Sequence, residues 1–482
     1  MKPLDNRTKW SYCVGATGRD MAYALVSMYL LLYVQYTMNL TAAQFSVITA
    51  CMVACMVWDA VNDPMMGIII ENSHLKWGKY KPWILMGCIL NAIVIVCLFT
   101  LRPTGWGFVA FYGVGYLLWG MTYTMNDIAY WGMLPSLSSD AGVRNTLVTL
   151  MSVFICVGQF SVAAIVPTII AGNAVQTYRV VALVVALCFI AFQTLTVLGV
   201  RERERTDAVE KVTLRGMFRI FFRNDQLIAS GVSYLLFNVG QNLLFLFGVN
   251  FFYVEFGYAN GGDLVFWFTL MYGLGTLISQ ALFAFLSARF TRAQLLRAAV
   301  VCILAGYLAF LGFGYVLPRS VVLLNAIAFV IFFFQGLYNL VLLVMVNNTI
   351  EYDEYRFHER HDSIISAVRS FAVKLASGVD QGLSTLVLIV SGVYAVSRQI
   401  SALEMLSNEG SLDKSSVLAQ ADACLAGLDP SQAFKLRFGM VLIPVVTILA
   451  SYLLLRRKYT LTEQEYERIV KCLNAPEEGS EQ

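Results

Sequence analysis

The chain has 482 residues, of which 58% are hydrophobic and only 13% are charged. Soluble domains average roughly 45–50% apolar and 25% charged residues, so this composition excludes an ordinary soluble domain and predicts a protein surrounded by membrane lipid. The formal net charge is +3, and no basic stretch is interleaved with aromatic residues, which argues against nucleic-acid binding.

Apolar runs of about 20 residues recur along the chain and predict about twelve transmembrane helices. Basic residues fall on alternate connections between these runs, and Lys and Arg near short loops stay on the cytoplasmic side. An even number of spans with both termini in the cytoplasm fits this pattern best. The N-terminal sequence has no short apolar core followed by a cleavage site, so we predict no removed signal peptide.

A polar stretch at 201–224 separates about six spans from about six more and has room for an amphipathic helix. We therefore predict an N-terminal six-helix bundle at 1–200, a central cytoplasmic loop at 201–224 and a C-terminal six-helix bundle at 225–458. Within the second bundle, 399–435 is predicted to be a long outer loop. The last segment, 459–482, is predicted to be a cytoplasmic tail.

The first span carries two charged residues, Arg19 and Asp20, that lipid would reject. Adjacent residues on a helix point about 100° apart. We therefore expect that the two side chains do not simply cap each other and that at least one of them faces a cavity. The alternative is a structural ion pair with another helix.

The second span places Asp59, Asn62 and Asp63 on one helix face. Acids within a span cost about 2.5 to 3.5 kcal/mol each on insertion scales, which indicates a function. Two carboxylates this close repel each other, so either one keeps a proton or a cation neutralises them. Together with the Thr124 hydroxyl, these oxygens suit Na⁺ or Li⁺, and protonation of one acid would give H⁺ coupling from the same residues.

The fourth span places Tyr123, Asp127 and Trp131 in one stripe, with Thr124 one turn from Asp127. A carboxylate accepts hydrogen bonds from two hydroxyls at once, and an aromatic ring covers the apolar face of a sugar ring. The stripe therefore has the chemistry of a sugar pocket. Anchoring at the membrane interface is the alternative for Trp131.

The eleventh span contains Arg369, Ser370 and Lys374, followed by Asp380. Lys374 is predicted to lie near mid-membrane, where a cation needs a partner. The candidate partners are Asp380, an acid of the first or fourth span, or an anionic group of a substrate. Pure structural pairing is the alternative to a binding function.

Four sequence blocks resemble the signature blocks of the glycoside-pentoside-hexuronide:cation symporters, and they occur in both halves of the chain in the same order. The blocks are Trp58–Gly67, Trp77–Trp83, Trp119–Thr124 with Asp127, and Glu351–Arg356.

This resemblance implies an all-α integral membrane protein with a major-facilitator fold, located in the bacterial inner membrane. It also implies alternating-access uptake of a sugar, glycoside or hexuronide, coupled to Na⁺, Li⁺ or H⁺ and needing no other cofactor. By similarity, the cation site comprises Asp59, Asn62, Asp63 and Thr124. The positions that line or lie beside the sugar site are Arg19, Asp20, Tyr123, Asp127, Trp131, Arg369, Ser370 and Lys374. A cytoplasmic gating and conformational network would include Lys79, Lys81, Glu351, Asp353, Glu354 and Arg356.

The chain departs from the family pattern in its charged residues. Met56 and Ser152 stand where a well-known member has arginines, Arg19 and Arg369 replace a lysine and a glutamine, and Asp380 is an added acid. Because guanidinium binds carboxylate or sulfonate in a bidentate fork, these arginines favour an anionic substrate such as a hexuronide or a sulfonated sugar. The acids near them could cancel that charge.

Three other classes of protein would make different demands on the sequence. A channel would need repeated polar rings along a pore, whereas the polar residues here lie at separate, unequal positions. A membrane enzyme would need a nucleophile with a base, or metal ligands, but His74, His358 and His361 all lie at predicted cytoplasmic loops. A lysolipid symporter remains an alternative, because the same cation site can drive lipid transport.

Overall fold

The computed structural model describes residues 5–73, 77–138, 140–202, 214–358 and 362–473. Residues 203–213 of the predicted central loop and the end of the predicted tail lie outside these residues. Helices dominate the described part of the chain. In the first 200 residues they are α1 (Asn6–Ala24), α2 (Leu30–Thr37), α3 (Ala42–Glu71), α4 (Lys81–Thr100), α5 (Trp106–Leu137), α6 (Ala141–Ile170) and α7 (Ala174–Gly199), with a π-helical segment, Leu25–Tyr29, between α1 and α2.

In the described residues after 200, twelve further helices follow. Those up to residue 391 are α8 (Leu214–Arg223), α9 (Asp225–Leu246), α10 (Gly248–Phe256), α11 (Tyr258–Arg289), α12 (Arg292–Gly312), α13 (Val321–Asn347), α14 (Thr349–Phe357) and α15 (Asp362–Ser391). The last are α16 (Val393–Asn408), α17 (Lys414–Ala426), α18 (Pro430–Lys458) and α19 (Glu463–Leu473).

Ten of the described helical segments are long and apolar enough to cross a membrane. This agrees with the predicted multi-pass architecture. Neither α1 nor α5 is among the ten, and these two helices carry several of the charged and aromatic residues that the sequence singles out. The exact count of twelve spans stays a prediction.

The chain divides into two compact units. The first contains Met1–Ala208, Leu246–Thr269 and Gln381–Leu436, and the second contains Val209–Phe245, Leu270–Asp380 and Arg437–Gln482. The division into bundles at the central loop stays a prediction.

In the first unit, α1 packs closely against α6 and α7. At Gly18 of α1, an added Cβ would lie 2.9 Å from the carbonyl oxygen of Cys188 and 3.0 Å from the Cα of Phe189, both on α7. Only a glycine allows this approach. Nearby, Tyr12 and Tyr130 stack with ring centroids 4.7 Å apart, and the Tyr12 hydroxyl donates to the Tyr130 carbonyl over 3.0 Å. These contacts fix α1 next to α5.

The segment predicted to be an outer loop, 399–435, is largely helical and forms much of α16 and α17. Its polar composition suggested a loop, but apolar side chains of α16, including Tyr394 and Ile400, are buried in the first unit. Within that unit, the Glu404 carboxylate accepts hydrogen bonds from the backbone N–H groups of Gly172 (2.8 Å) and Ala174 (2.6 Å) and from the Tyr258 hydroxyl (2.8 Å). Because Ala174 begins α7, a carboxylate there also complements the helix dipole.

The second unit is held together by contacts between α9, α13 and α18. Ser233 and Ser451 each donate to the other's carbonyl, over 3.2 and 2.8 Å, so that α9 and α18 lie side by side. The Tyr338 hydroxyl of α13 is 3.0 Å from the Ser451 hydroxyl, and the Tyr338 ring stacks on Phe237. The buried hydroxyls of Ser233, Tyr338 and Ser451 thus find partners without water.

Candidate functional site

The acidic residues of α3 lie against α5. The Thr124 hydroxyl donates to Asp63 Oδ1 over 3.1 Å. Gly120 lies one turn before Thr124 on α5. A Cβ at Gly120 would lie 2.9 Å from Asp59 Oδ1, so the absence of a side chain there makes room for the carboxylate. Asn62 is buried, and its amide nitrogen has no hydrogen-bond partner among the described residues.

These residues supply the oxygen ligands that alkali cations prefer: two carboxylates, an amide carbonyl and a hydroxyl. Pro64 follows directly in α3, and because proline has no N–H, the carbonyl oxygen of residue 60 loses its usual helical donor. The structure thus brings Asp59, Asp63 and Thr124 to one α3–α5 contact. Cation binding there stays a prediction.

Arg19 forms a buried ion-pair group with two acids. Its Nε and Nη2 atoms donate to Asp20 Oδ2 over 3.0 and 2.8 Å, and its Nη1 lies 3.0 Å from Asp127 Oδ1 of α5. Gln159 of α6 donates to the other oxygen of Asp20 over 3.1 Å. The expectation that Arg19 and Asp20 would not cap each other was therefore wrong, because the long arginine side chain bends back across the angle between them. The alternative, an ion pair with another helix, is present as well.

The formal charges of Arg19, Asp20 and Asp127, taken by themselves, do not balance. Arg19 contributes one positive charge, whereas Asp20 and Asp127 contribute two negative charges when ionised. The side chain of Arg19 is only 3% exposed and that of Asp127 is 34% exposed. The Arg19 guanidinium is therefore paired with protein carboxylates. The accessible residue of the group is Asp127, whose carboxylate accepts hydrogen bonds.

Aromatic side chains surround this group. The Tyr123 ring lies 5.3 Å from that of Tyr23 and 5.8 Å from that of Trp119. The Arg19 guanidinium lies over the rings of Tyr130 and Trp131, at 4.9 and 5.6 Å from their centroids. Trp131 is 38% exposed, so part of its indole remains accessible.

Sequence reasoning missed four of these residues: Tyr23, Trp119, Tyr130 and Gln159. Helical spacing could have found Tyr23, which lies one turn after Arg19 and Asp20 on α1. Gln159 is a polar residue in an apolar span and could have been noted for that reason. Only packing shows that Gln159 donates to Asp20.

The other predicted substrate residues, Arg369, Ser370 and Lys374, lie on α15 in the second unit. Their proximity to the Arg19 group stays a prediction. Asp380, a candidate partner for Lys374, instead accepts a hydrogen bond from Asn242 over 3.2 Å.

The predicted gating residues fall into two groups, one in each unit. In the first unit, the backbone N–H groups of Lys79 and Lys81 donate to the Glu202 carboxylate over 2.7 and 2.8 Å. Glu202 thereby caps the start of α4, next to Gly78, whose φ of +117° suits glycine. Sequence reasoning did not single out Glu202.

In the second unit, all four predicted gating residues lie on α14. Asp353 is buried and accepts from Asn224 over 3.2 Å, with Arg223 at 3.9 Å. Arg356 pairs with Asp225. The remaining two are Glu351 and Glu354. A gating role for this network stays a prediction.

Comparison with solved structures identifies the fold. A bacterial homologue of the human lysosomal transporter Spinster, in an inward-facing and unoccupied conformation, aligns with a TM-score of 0.67 and 13% identity, over 97% of this chain and 99% of that chain. A D-xylose-proton symporter aligns with a TM-score of 0.62 and 14% identity, over 94% of this chain and 97% of that chain. At such low identities the likeness shows the all-helical fold alone.

The profile of the family described as MFS/sugar transport protein matches residues 11–463, and the chain therefore belongs to this family. The lactose permease of Lactobacillus delbrueckii subsp. bulgaricus is 26% identical, over 97% of this chain and 72% of that protein. The raffinose carrier protein of Pediococcus pentosaceus is 25% identical, over 79% of this chain and 62% of that protein. The isoprimeverose transporter of Lactiplantibacillus pentosus is 22% identical, over 82% of this chain and 84% of that protein.

The chain thus spans about two thirds of the length of the lactose permease and the raffinose carrier. The resemblance predicted from the four sequence blocks is confirmed. These relatives are transporters rather than enzymes, as predicted.

Proposed function

We propose that this protein is a secondary active symporter that moves a sugar or glycoside together with Na⁺, Li⁺ or H⁺ by alternating access. One observation carries the proposal. On helix α5, the Thr124 hydroxyl donates a hydrogen bond to Asp63. One turn later on the same helix, Asp127 forms an ion pair with Arg19. The candidate cation site and the candidate sugar site therefore share one rigid element.

Coupling follows from this arrangement. A cation between Asp59 and Asp63 removes their mutual repulsion and fixes α3 against α5. Tyr123 and Asp127 then take the geometry that binds the substrate. Linkage requires the sugar to strengthen ion binding by the same factor, which commonly corresponds to about 1–3 kcal/mol.

An uncharged sugar is the substrate that this site supports best. The excess negative charge of the Arg19 group disfavours an anion, whereas an accessible Asp127 oxygen accepts hydrogen bonds from hydroxyls. The Trp131 ring offers an apolar face for a pyranose. The names of the relatives point in the same direction, because lactose, raffinose and isoprimeverose are all uncharged. An anionic sugar derivative is the second candidate, supported by Arg369 and Lys374 on α15.

The protein would act in a bacterial inner membrane, with twelve spans and both termini in the cytoplasm. It would need no cofactor beyond the coupling ion. Ten apolar spans and the bacterial relatives support this location.

The test uses purified protein in liposomes and a panel of neutral sugars, glycosides, hexuronides and lysolipids. Counterflow exchange identifies the substrate, and uptake driven by a Na⁺, Li⁺ or pH gradient identifies the ion. Asp59→Cys should abolish ion-driven accumulation and leave some substrate binding. Asp263→Cys, at an exposed aspartate of α11, is the matched control and should accumulate substrate like the wild type. Unchanged accumulation by Asp59→Cys would contradict the assigned cation site.

A further inference from the structure

Asp380 is an acid at the middle of a membrane span. It lies halfway along the apolar stretch Val368–Ser391 of α15, which has 24 residues. At a rise of 1.5 Å per residue, it is roughly 18 Å from the first residue of that stretch. The hydrocarbon core of a bilayer is about 30 Å thick, so Asp380 is far from both aqueous surfaces along the helix axis.

Among the described residues, Asp380 has one hydrogen-bond partner. The residue is 2% exposed, and its Oδ2 accepts a single hydrogen bond from the Asn242 amide of α9, over 3.2 Å. Its Oδ1 is buried and has no hydrogen-bond partner among the described residues. A carboxylate stabilised by its protein surroundings accepts two or three hydrogen bonds or contacts a cation.

Helix geometry separates Asp380 from the charged residues Lys374 and Arg369 of its own helix and from Tyr234 of α9. Lys374 precedes it on α15 by six positions, about 240° around the helix. Arg369 shares its face but lies roughly 16 Å away along the axis. On α9, the titratable residue on the Asn242 face is Tyr234, about 12 Å from Asn242 along the helix.

The other buried acids of the described chain are Asp20, Asp353 and Glu404, and each of them has more hydrogen-bond or ion-pair partners than Asp380. Asp20 is paired with an arginine and a glutamine amide, and Asp353 with an arginine and an asparagine amide. Glu404 accepts three hydrogen bonds, two of them from backbone N–H groups at a helix start. Asp20 and Asp353 each have an arginine beside them and Glu404 has three hydrogen-bond donors, whereas Asp380 has a single neutral amide, which does not offset the cost of a buried charge.

We propose that Asp380 binds a proton in this conformation and releases it when water reaches the α9–α15 contact, so that it forms a proton-coupling site separate from the Asp59 and Asp63 pair. This inference rests on the proposed symport function. The proton enters from the outer solution, adds to the carboxylate to give the neutral acid, and leaves to the inner solution in the transport direction. Asn242 would position the acid through its amide.

The first experiment needs no substrate. Infrared spectra of the purified protein between neutral and alkaline pH should show the C=O stretching band of a buried protonated carboxylic acid. Asp380→Asn should lose that band. In Asn242→Ala the band should persist to a more alkaline pH than in the wild type, because the Asn242 amide stabilises the charged form of Asp380. The same band in the wild type and in Asp380→Asn would overturn the proposal.

The second experiment measures transport in liposomes of the sugar that counterflow over the panel identifies. Asp380→Asn mimics the protonated acid, so it should fold, keep counterflow of that sugar and lose the stimulation of uptake by an inward proton gradient. Asp380→Glu should restore the stimulation, and Asp263→Asn is the control that should leave it unchanged. If Asp380→Asn retained full stimulation, the proposal would be wrong. If the wild type failed to exchange any sugar of the panel, the symport proposal would fail, and the infrared result would still decide whether Asp380 holds a proton.

Discussion

Replacing Gly18 with alanine should destabilise the first unit, because α1 and α7 meet there backbone to backbone. The added Cβ would lie 2.9 Å from the carbonyl oxygen of Cys188, 2.9 Å from the Cβ of Phe192 and 3.0 Å from the Cα of Phe189. None of these atoms is the end of a flexible side chain. To reach the 3.4 Å at which ordinary contact begins, the two helices must separate by about 0.5 Å.

The matched control is Gly67→Ala on α3, where an added Cβ meets nothing within 4 Å. Both substitutions replace a helical glycine and gain up to about 1 kcal/mol of helix propensity. Overpacking at Gly18 should cost about 1–3 kcal/mol, so we expect the two variants to differ by roughly that amount. Gly67→Ala should be as stable as the wild type or more stable.

The assay is thermal unfolding of the purified variants in detergent, followed by tryptophan fluorescence. The expected order of melting temperatures is Gly67→Ala, then wild type, then Gly18→Ala. Because Arg19 is the next residue on α1, sugar counterflow by Gly18→Ala should also fall. A Gly18→Ala variant that melts together with Gly67→Ala would refute the close approach of α1 and α7.

Three further predictions concern other contacts. Burial raises the pKa of the Glu404 carboxyl above its ordinary value of 4.5, and the hydrogen bonds to Glu404 offset only part of this rise. The stability that Glu404 contributes is therefore full below about pH 4.5 and is lost as the pH rises through the raised pKa. Glu404→Gln cannot ionise and should flatten that part of the melting curve against pH; parallel curves for variant and wild type would contradict the assignment. Glu202→Ala removes the acceptor of three backbone N–H groups at the start of α4 and should cost about 1–3 kcal/mol, with Glu202→Gln intermediate in melting temperature; an unshifted midpoint for the alanine variant would count against this cap. Thr124→Val removes the hydrogen bond to Asp63 and should raise the half-maximal coupling-ion concentration for uptake about tenfold, for a loss of about 1.4 kcal/mol, and an unchanged ion dependence would show that this hydroxyl is not a ligand.

Local residue patterns were sufficient to predict the class of protein and most of its helices. Composition and apolar runs depend only on local residues, and they are sufficient to predict a membrane protein with many spans. Helical periodicity likewise placed Asp59, Asn62 and Asp63 on one face, and Tyr123 and Asp127 on another, before any contact was known.

The tertiary structure decided which groups meet. The Arg19 pairing with both Asp20 and Asp127 depends on the bend of one long side chain and on the position of α5 beside α1, and neither follows from helical spacing. The same holds for Glu404, whose partners lie more than a hundred residues away, and for the helices within the segment 399–435. Local sequence sets the direction in which a side chain leaves its helix, whereas only the packing of distant helices sets its partner.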